Sequence, residues 1–308
     1  MEGLLIINKQ KGWTSHDVVA KLRGMLSIQK IGHTGTLDPD ATGVLTVCIG
    51  RATSLAQYTN EFDKVYKVVM RLGISTDTQD ATGRVIKETP EFKISREQIE
   101  DAFRKFTGRI SQIPPMYSAV KVKGVPLYRH ARKGKEIVRE PREVNITEIK
   151  LLEFSGVFAE FEVTCSKGTY IRTLCADIGD FLGVGAHMFS LERTRSGEFS
   201  IKDAVTVEEA EGLYRAGDLE SKLRSPEQVT GWMPSVIINS HGYSLVRDGR
   251  ALDMEAIDGI KGDFSPDDAV AVKDESGSLK AIAKAICSSN KVRCGSNEKI
   301  FKIERVLI

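Results

Sequence analysis

Strand-length apolar runs and helix-length amphipathic stretches succeed one another in this chain without a steady strand–helix–strand alternation. That order argues against a doubly wound nucleotide fold and for an α+β core on a mixed, largely antiparallel sheet. "GLLIINK" (3–9) is short and apolar enough for a buried strand. In "SHDVVAKLRGML" (15–26), Val18, Leu22 and Met25, with Val19 and Leu26 beside them, mark one helical face, leaving Lys21 and Arg23 to solvent. A strand at Val44–Ile49, a short helix near Arg51–Tyr58 and a long strand "KVYKVVMRLG" (64–73) carrying Tyr66 come next. Ser95 and Gln98 form a capping-box pair ahead of Ile99, Ala102, Phe103 and Phe106, and Gly108 closes that helix. After strands around Val144–Cys165, "GTYIRTLCADIGDFLG" (168–183) aligns Ile171, Leu174, Ile178 and Leu182, so Arg172 projects from the first turn.

Beyond Phe199 the texture changes. An acidic, helix-prone connector runs through Gln228 to "GWMPSVIINS", then to a hairpin around Asp274–Ser278 and an alternating closing strand, "EKIFKIERVLI". A boundary near Pro234 divides the chain into 1–235 and 236–308, and 308 residues are enough for one large unit with a small appendage. The odd set Cys48, Cys165, Cys175, Cys287 and Cys294 has no Cys-x-x-Cys pair, which reads as reduced, mostly buried thiols and no metal site. No apolar run approaches the length of a membrane span, so a cytoplasmic protein with no membrane partner is expected.

"GHTGTLDPDATGVL" (32–45) packs three glycines, two aspartates and a proline ahead of the strand at Val44. Taken alone, such a segment reads as a solvated turn. Asp38-x-Asp40-x-Thr42 also fits the nucleophile motif of haloacid-dehalogenase-type phosphohydrolases, but the hydrophobic strand that must precede it is missing from "KIGHTGTL". The turn also lacks the Gly-Lys-Ser/Thr ending of a phosphate loop. The tetrapeptide Asp-Ala-Thr-Gly recurs at 40–43 and 80–83, too short for an internal repeat. Net charge is only +2, so any polyanion must be held by local clustering. The strongest cluster is 121–142, where Lys121, Lys123, Arg129, Arg132, Lys133, Lys135, Arg139 and Arg142 face only Glu136 and Glu140. Tyr128 and His130 within it add rings that stack on bases, so the segment reads as an RNA-binding insertion as readily as a solvated face.

Four segments together, "GHTGTLDPDATGVL", "YKVVMRLGISTDTQDATG", "CSKGTYIRTLCADIG" and "LERTRSGEF", closely resemble the TruB family of bacterial tRNA pseudouridine synthases, in order over roughly the first 200 residues. The tail after about Ser235 resembles, less strongly, the family's small RNA-binding PUA domain. Asn8-Lys9-Gln10 departs from the family's usual Lys-Pro. The resemblance implies a pseudouridine synthase fold with a β-rich C-terminal PUA domain, and isomerisation of uridine 55 in the TΨC loop of tRNA with no cofactor or metal.

By the same resemblance Asp38 is the essential carboxylate, serving as nucleophile or base. Arg172 pairs with it, Tyr66 stacks under the uracil and takes up the C5 proton, and His33 fills the space of the flipped nucleotide. Tyr170, Lys9 and Leu191 are implied substrate contacts, and 121–142 resembles the RNA-clasping loop of enzymes that work without a guide RNA. The implied partner is tRNA, through its T-arm and through the acceptor stem on the PUA domain, with the protein a monomer. The competing reading is an RNA-binding protein that folds or escorts tRNA and whose glycine-rich turn is structural only.

Overall fold

The computed structural model describes residues 1–118, 120–122, 124–131, 133–293 and 299–308. Among these, a nine-stranded sheet organises the first 200 residues. Its strands are β1 (Gly3–Lys9), β2 (Ile31–Thr34), β3 (Thr42–Ile49), β4 (Lys64–Leu72), β7 (Gly108–Gln112), β10 (Arg142–Phe154), β11 (Phe158–Cys165), β12 (Ala186–Ser196) and β13 (Phe199–Ser200), with β5 (Ile74–Thr76) paired to β6 (Val85–Glu88) and β8 (Lys121–Val122) to β9 (Val125–Pro126) outside it. The main order is β1-β3-β12-β4-β11-β10-β7, with β2 on β3 and β13 on β12. Every pairing is antiparallel except β3 with β12, where Thr42 and Gly43 align with Glu192 and Arg193. The sheet is thus mixed and largely antiparallel.

Three helices cover one face: α1 (Ser15–Leu26), then, after the single turn α2 (Ala56–Thr59), α3 (Arg96–Phe106), and, after α4 (Leu127–Ala131), α5 (Ile171–Phe181). Thr14 and Asp17 cap α1 reciprocally, as Ser95 and Gln98 cap α3. Val18, Val19, Leu22 and Leu26 bury the α1 face, while Ile99, Ala102 and Phe103 do so for α3, and Ile171, Leu174 and Ile178 for α5. Arg23 does not stay in solvent as its helical position suggests; it is half-buried and donates to the Ile31 carbonyl at 2.6 Å, tying α1 to β2.

Strand β1 is buried on both faces. Leu5 and Ile7 join the helix-side core, whereas Leu4 and Ile6 point the other way, which accounts for the unbroken apolar run in its sequence. The connector supplies α6 (Val207–Ala216) and α7 (Pro226–Val229). A five-stranded sheet follows, with order β15-β14-β16-β17-β18 and strands β14 (Ser235–Ile238), β15 (Ile257–Lys261), β16 (Ala269–Lys273), β17 (Leu279–Ala285) and β18 (Phe301–Val306), flanked by α8 (Ser240–Arg247) and α9 (Ser289–Arg293). This unit has its own core around Val236, Val270 and Phe301. A further cluster joins Leu4, Ile6, Val44 and Cys48 to Ala271, Leu279, Ile282 and Leu307, so the two sheets share buried surface. Burial also pushes the Cys48 and Cys165 thiols up to about 12. Cys294 lies outside the described residues.

Candidate active site

The turn between β2 and β3 carries Asp38, and its neighbours leave it little freedom. Leu37 is buried, with its amide and carbonyl both bonded to the Ser15 hydroxyl at 2.9 and 3.2 Å. The Pro39 carbonyl accepts from the Gly12 amide and from the Lys9 ammonium, and the Ala41 amide returns to the Asp38 carbonyl at 3.1 Å. Lys9 does not reach the cleft as a substrate contact would. It is fully buried and its ammonium also donates to the Gln10 and Trp13 carbonyls, so it braces the turn from below. Burial pushes that ammonium down to about 8, against the pull of Asp38 and Asp40.

Opposite the turn, the first turn of α5 delivers Arg172, whose side chain is 7% exposed. Its Nε and Nη2 donate to the two oxygens of Asp38 at 3.0 and 3.4 Å, a two-pronged contact. Nη1 lies 3.4 Å from an Asp80 oxygen, and Nη2 donates to the Tyr117 carbonyl at 2.8 Å. One guanidinium therefore serves two carboxylates. The Asp38 side chain keeps 41% exposure, open on one side and ringed by protein on the others. That surrounding protein pushes its carboxyl above the ordinary value of 3.8; Asp80 and Asp40 push the same way, while Arg172 and Lys9 pull against them.

Asp80 is the residue sequence reasoning passed over, although the second Asp-Ala-Thr-Gly marked its position. Its Oδ1 accepts from the Thr78 hydroxyl at 2.7 Å and from the Thr82 amide and hydroxyl at 3.0 and 2.6 Å, leaving Oδ2 for Arg172. Gln79, at φ 63°, accepts from the Thr173 hydroxyl at 2.9 Å and so locks this turn onto α5. The backbone ahead of α5 is held by Gln112, whose amide exchanges two hydrogen bonds with the main chain of Tyr170.

Tyr66 sits on β4 with its phenol buried and raised by that burial. Leu191 is buried on β12 opposite Val68, two pairs along from Tyr66 and Arg193. His33 on β2 is half-buried, its Nδ1 has no hydrogen-bond partner among the described residues, and burial lowers its basicity. Tyr170 is half-buried at the start of α5. Asp38 thus pairs with Arg172 and also acts electrostatically on the Tyr66 phenol, although the three lie on elements distant in sequence. In the basic segment, Lys121, Arg129, Lys133, Lys135 and Arg142 are exposed, while Arg139 is drawn inward to the Pro114 carbonyl and Glu136. Lys123 and Arg132 lie outside the described residues.

The family description "TruB family pseudouridylate synthase (N terminal domain)" matches residues 23–171, and "tRNA pseudouridylate synthase B C-terminal domain" matches 172–226. A relative named tRNA pseudouridine synthase B from Clostridioides difficile (strain 630) is 44% identical over 270 residues, 87% of this chain and 89% of its own. One of the same name from Geobacillus thermodenitrificans (strain NG80-2) is 46% identical over 263 residues, covering 83% and 87%. Among solved structures, a chain of a Cbf5-Nop10-Gar1 complex superposes with TM-score 0.81 at 29% identity, covering 99% of this chain and 85% of that one.

Proposed function

The chain belongs to the TruB family of pseudouridylate synthases, and on that premise we propose that it isomerises uridine 55 in the TΨC loop of tRNA, with Asp38 as the group that opens the glycosidic bond. The observation that carries the reading is the two-pronged Asp38–Arg172 contact at the rim of a rigid turn. A carboxylate so held serves as nucleophile toward base or sugar, or as base toward a sugar proton; either role requires the ionised form, which Arg172 favours. The target uridine leaves its stack to reach Asp38. Tyr66 lies against the uracil and removes the C5 proton after the base re-adds through C5, and the neutral His33 ring stacks in the vacated space. No step needs a cofactor.

The exposed cations of 121–142 hold the T-arm backbone, and the C-terminal unit acts as a PUA domain that places the acceptor stem. A guide RNA is not required; identity to relatives named for tRNA exceeds that to the Cbf5 chain. The test is tritium release from tRNA labelled at uridine C5, using purified protein alone, with tRNA lacking uridine at position 55 as control. Asp38→Asn is expected to abolish release while tRNA still binds, because phosphate contacts dominate affinity. Activity within about tenfold of wild type, roughly 1.4 kcal/mol of barrier, removes Asp38 from the chemistry. Binding without any conversion by the wild type favours the tRNA-escort reading.

A further inference from the structure

Arg193 is 1% exposed and heads the fully buried side chains by size, yet it enters no ion pair among the described residues. Its guanidinium donates from Nε to the Val44 carbonyl at 2.7 Å and from Nη2 to the Gly35 carbonyl at 2.7 Å, and it also hydrogen-bonds the Tyr66 phenol. Burying a guanidinium without a carboxylate is unfavourable, so its neighbours show what it maintains. In the row β3-β12-β4 it is the register partner of Gly43 on one side and of Tyr66 on the other. Register partners leave a sheet on the same face, so the guanidinium and the phenol share one side of the sheet. Gly35 and Gly43 clear space for it: a Cβ on Gly35 would come 3.1 Å from Nη1, and one on Gly43 would come 2.2 Å from the Arg193 carbonyl oxygen.

We propose that Arg193 is a positioning residue for the isomerisation, joining the Asp38 turn to Tyr66 in one frame and stabilising the phenolate that removes the C5 proton. The inference rests on the reading of Tyr66 as that base. Once the detached uracil has bonded to C1′ through C5, this carbon still holds its hydrogen. The phenolate oxygen takes the proton, the C5–H electron pair restores C5=C6 as the N1=C6 pair returns to N1, and N1 gains a proton from solvent, so the product is an isomer of the substrate. Among the described residues, three charged or titratable groups act on the phenol: Arg193 from β12, Cys165 from β11 and Asp38 from the turn. Burial, Cys165 and Asp38 all oppose the phenolate, and Arg193 alone of the three favours it.

The experiment measures single-turnover tritium release across a pH series, with filter binding of tRNA in parallel, for wild type, Arg193→Met and Arg193→Lys. Arg193→Met is expected to convert about a hundredfold more slowly at neutral pH, with its alkaline rise moved to higher pH and tRNA affinity within about threefold. Arg193→Lys should recover about tenfold of that loss, since the charge remains but the fork does not. Replacing Tyr66 by 3-fluorotyrosine, a more acidic phenol, should restore rate to Arg193→Lys, which a purely structural arginine would not allow. This last arm decides the matter even where Arg193→Met fails to fold. Wild-type rates in the variants overturn the proposal, as does a loss that is equal at every pH and insensitive to fluorination. Asp38→Ala run alongside separates the two readings: if it is active the proposed function fails, and if it is inactive while Arg193→Met is fully active only the present inference fails.

Discussion

Asp80→Asn is the most informative single change, because it keeps the size of the side chain and alters only the partner of Arg172. Oδ1 of Asp80 is committed to Thr78 and Thr82, so the new amide nitrogen falls where Oδ2 now faces Arg172 Nη1 at 3.4 Å. Two donors then oppose each other, and turning the amide over breaks the threonine contacts instead. A hydrogen bond to a charged group contributes about 1.5–3 kcal/mol. If that loss is felt in the transition state through misplacement of Arg172 and Asp38, conversion slows by about tenfold to about two-hundredfold. Removing the Asp80 charge also withdraws one of the groups that raise the Asp38 carboxyl, so the acid limb of the rate profile moves to lower pH. Single-turnover tritium release across pH, with filter binding to confirm unchanged tRNA affinity, reads both effects. A rate within about threefold of wild type, under about 0.7 kcal/mol, refutes the shared-cation argument, and so does an acid limb that stays in place.

In the wild type, that acid limb should lie above 3.8, because burial raises the Asp38 carboxyl and activity is lost as falling pH protonates it; a limb at or below the ordinary value contradicts this environment. Replacing Lys121, Arg129, Lys133 and Lys135 by Ser should weaken tRNA binding and flatten the plot of log affinity against log salt by about 0.7 per lost phosphate contact, whereas an unchanged slope makes the segment a solvated face. Truncation before Ser235 should lower the melting temperature as well as tRNA affinity, since it uncovers Leu4, Ile6, Val44 and Cys48; a truncated protein as heat-stable as the full chain would show that this shared core contributes nothing.

Local rules were enough for the long elements, though not for short ones such as β2 and the β5–β6 hairpin. Capping boxes, the face of α3 and the alternation of the closing strand are written within a few neighbouring residues, and backbone sterics and apolar periodicity act at that range. The turn at Asp38 was visible for the same reason, and its family motifs carried expectations for Tyr66, Arg172 and His33. Pairing was beyond reach: that β3 meets β12 in parallel, placing Gly43, Arg193 and Tyr66 in one row, follows from the assembly of segments 150 residues apart. Tertiary structure alone sent Lys9 and Arg139 inward to backbone carbonyls, when the family resemblance implied a substrate contact for the one and the basic cluster an RNA contact for the other. It also turned a dismissed tetrapeptide into the second anion beside Arg172. A charge's partners are chosen by what packing brings within about 4 Å, where burial sets the strength of the interaction, and neither quantity is local in sequence.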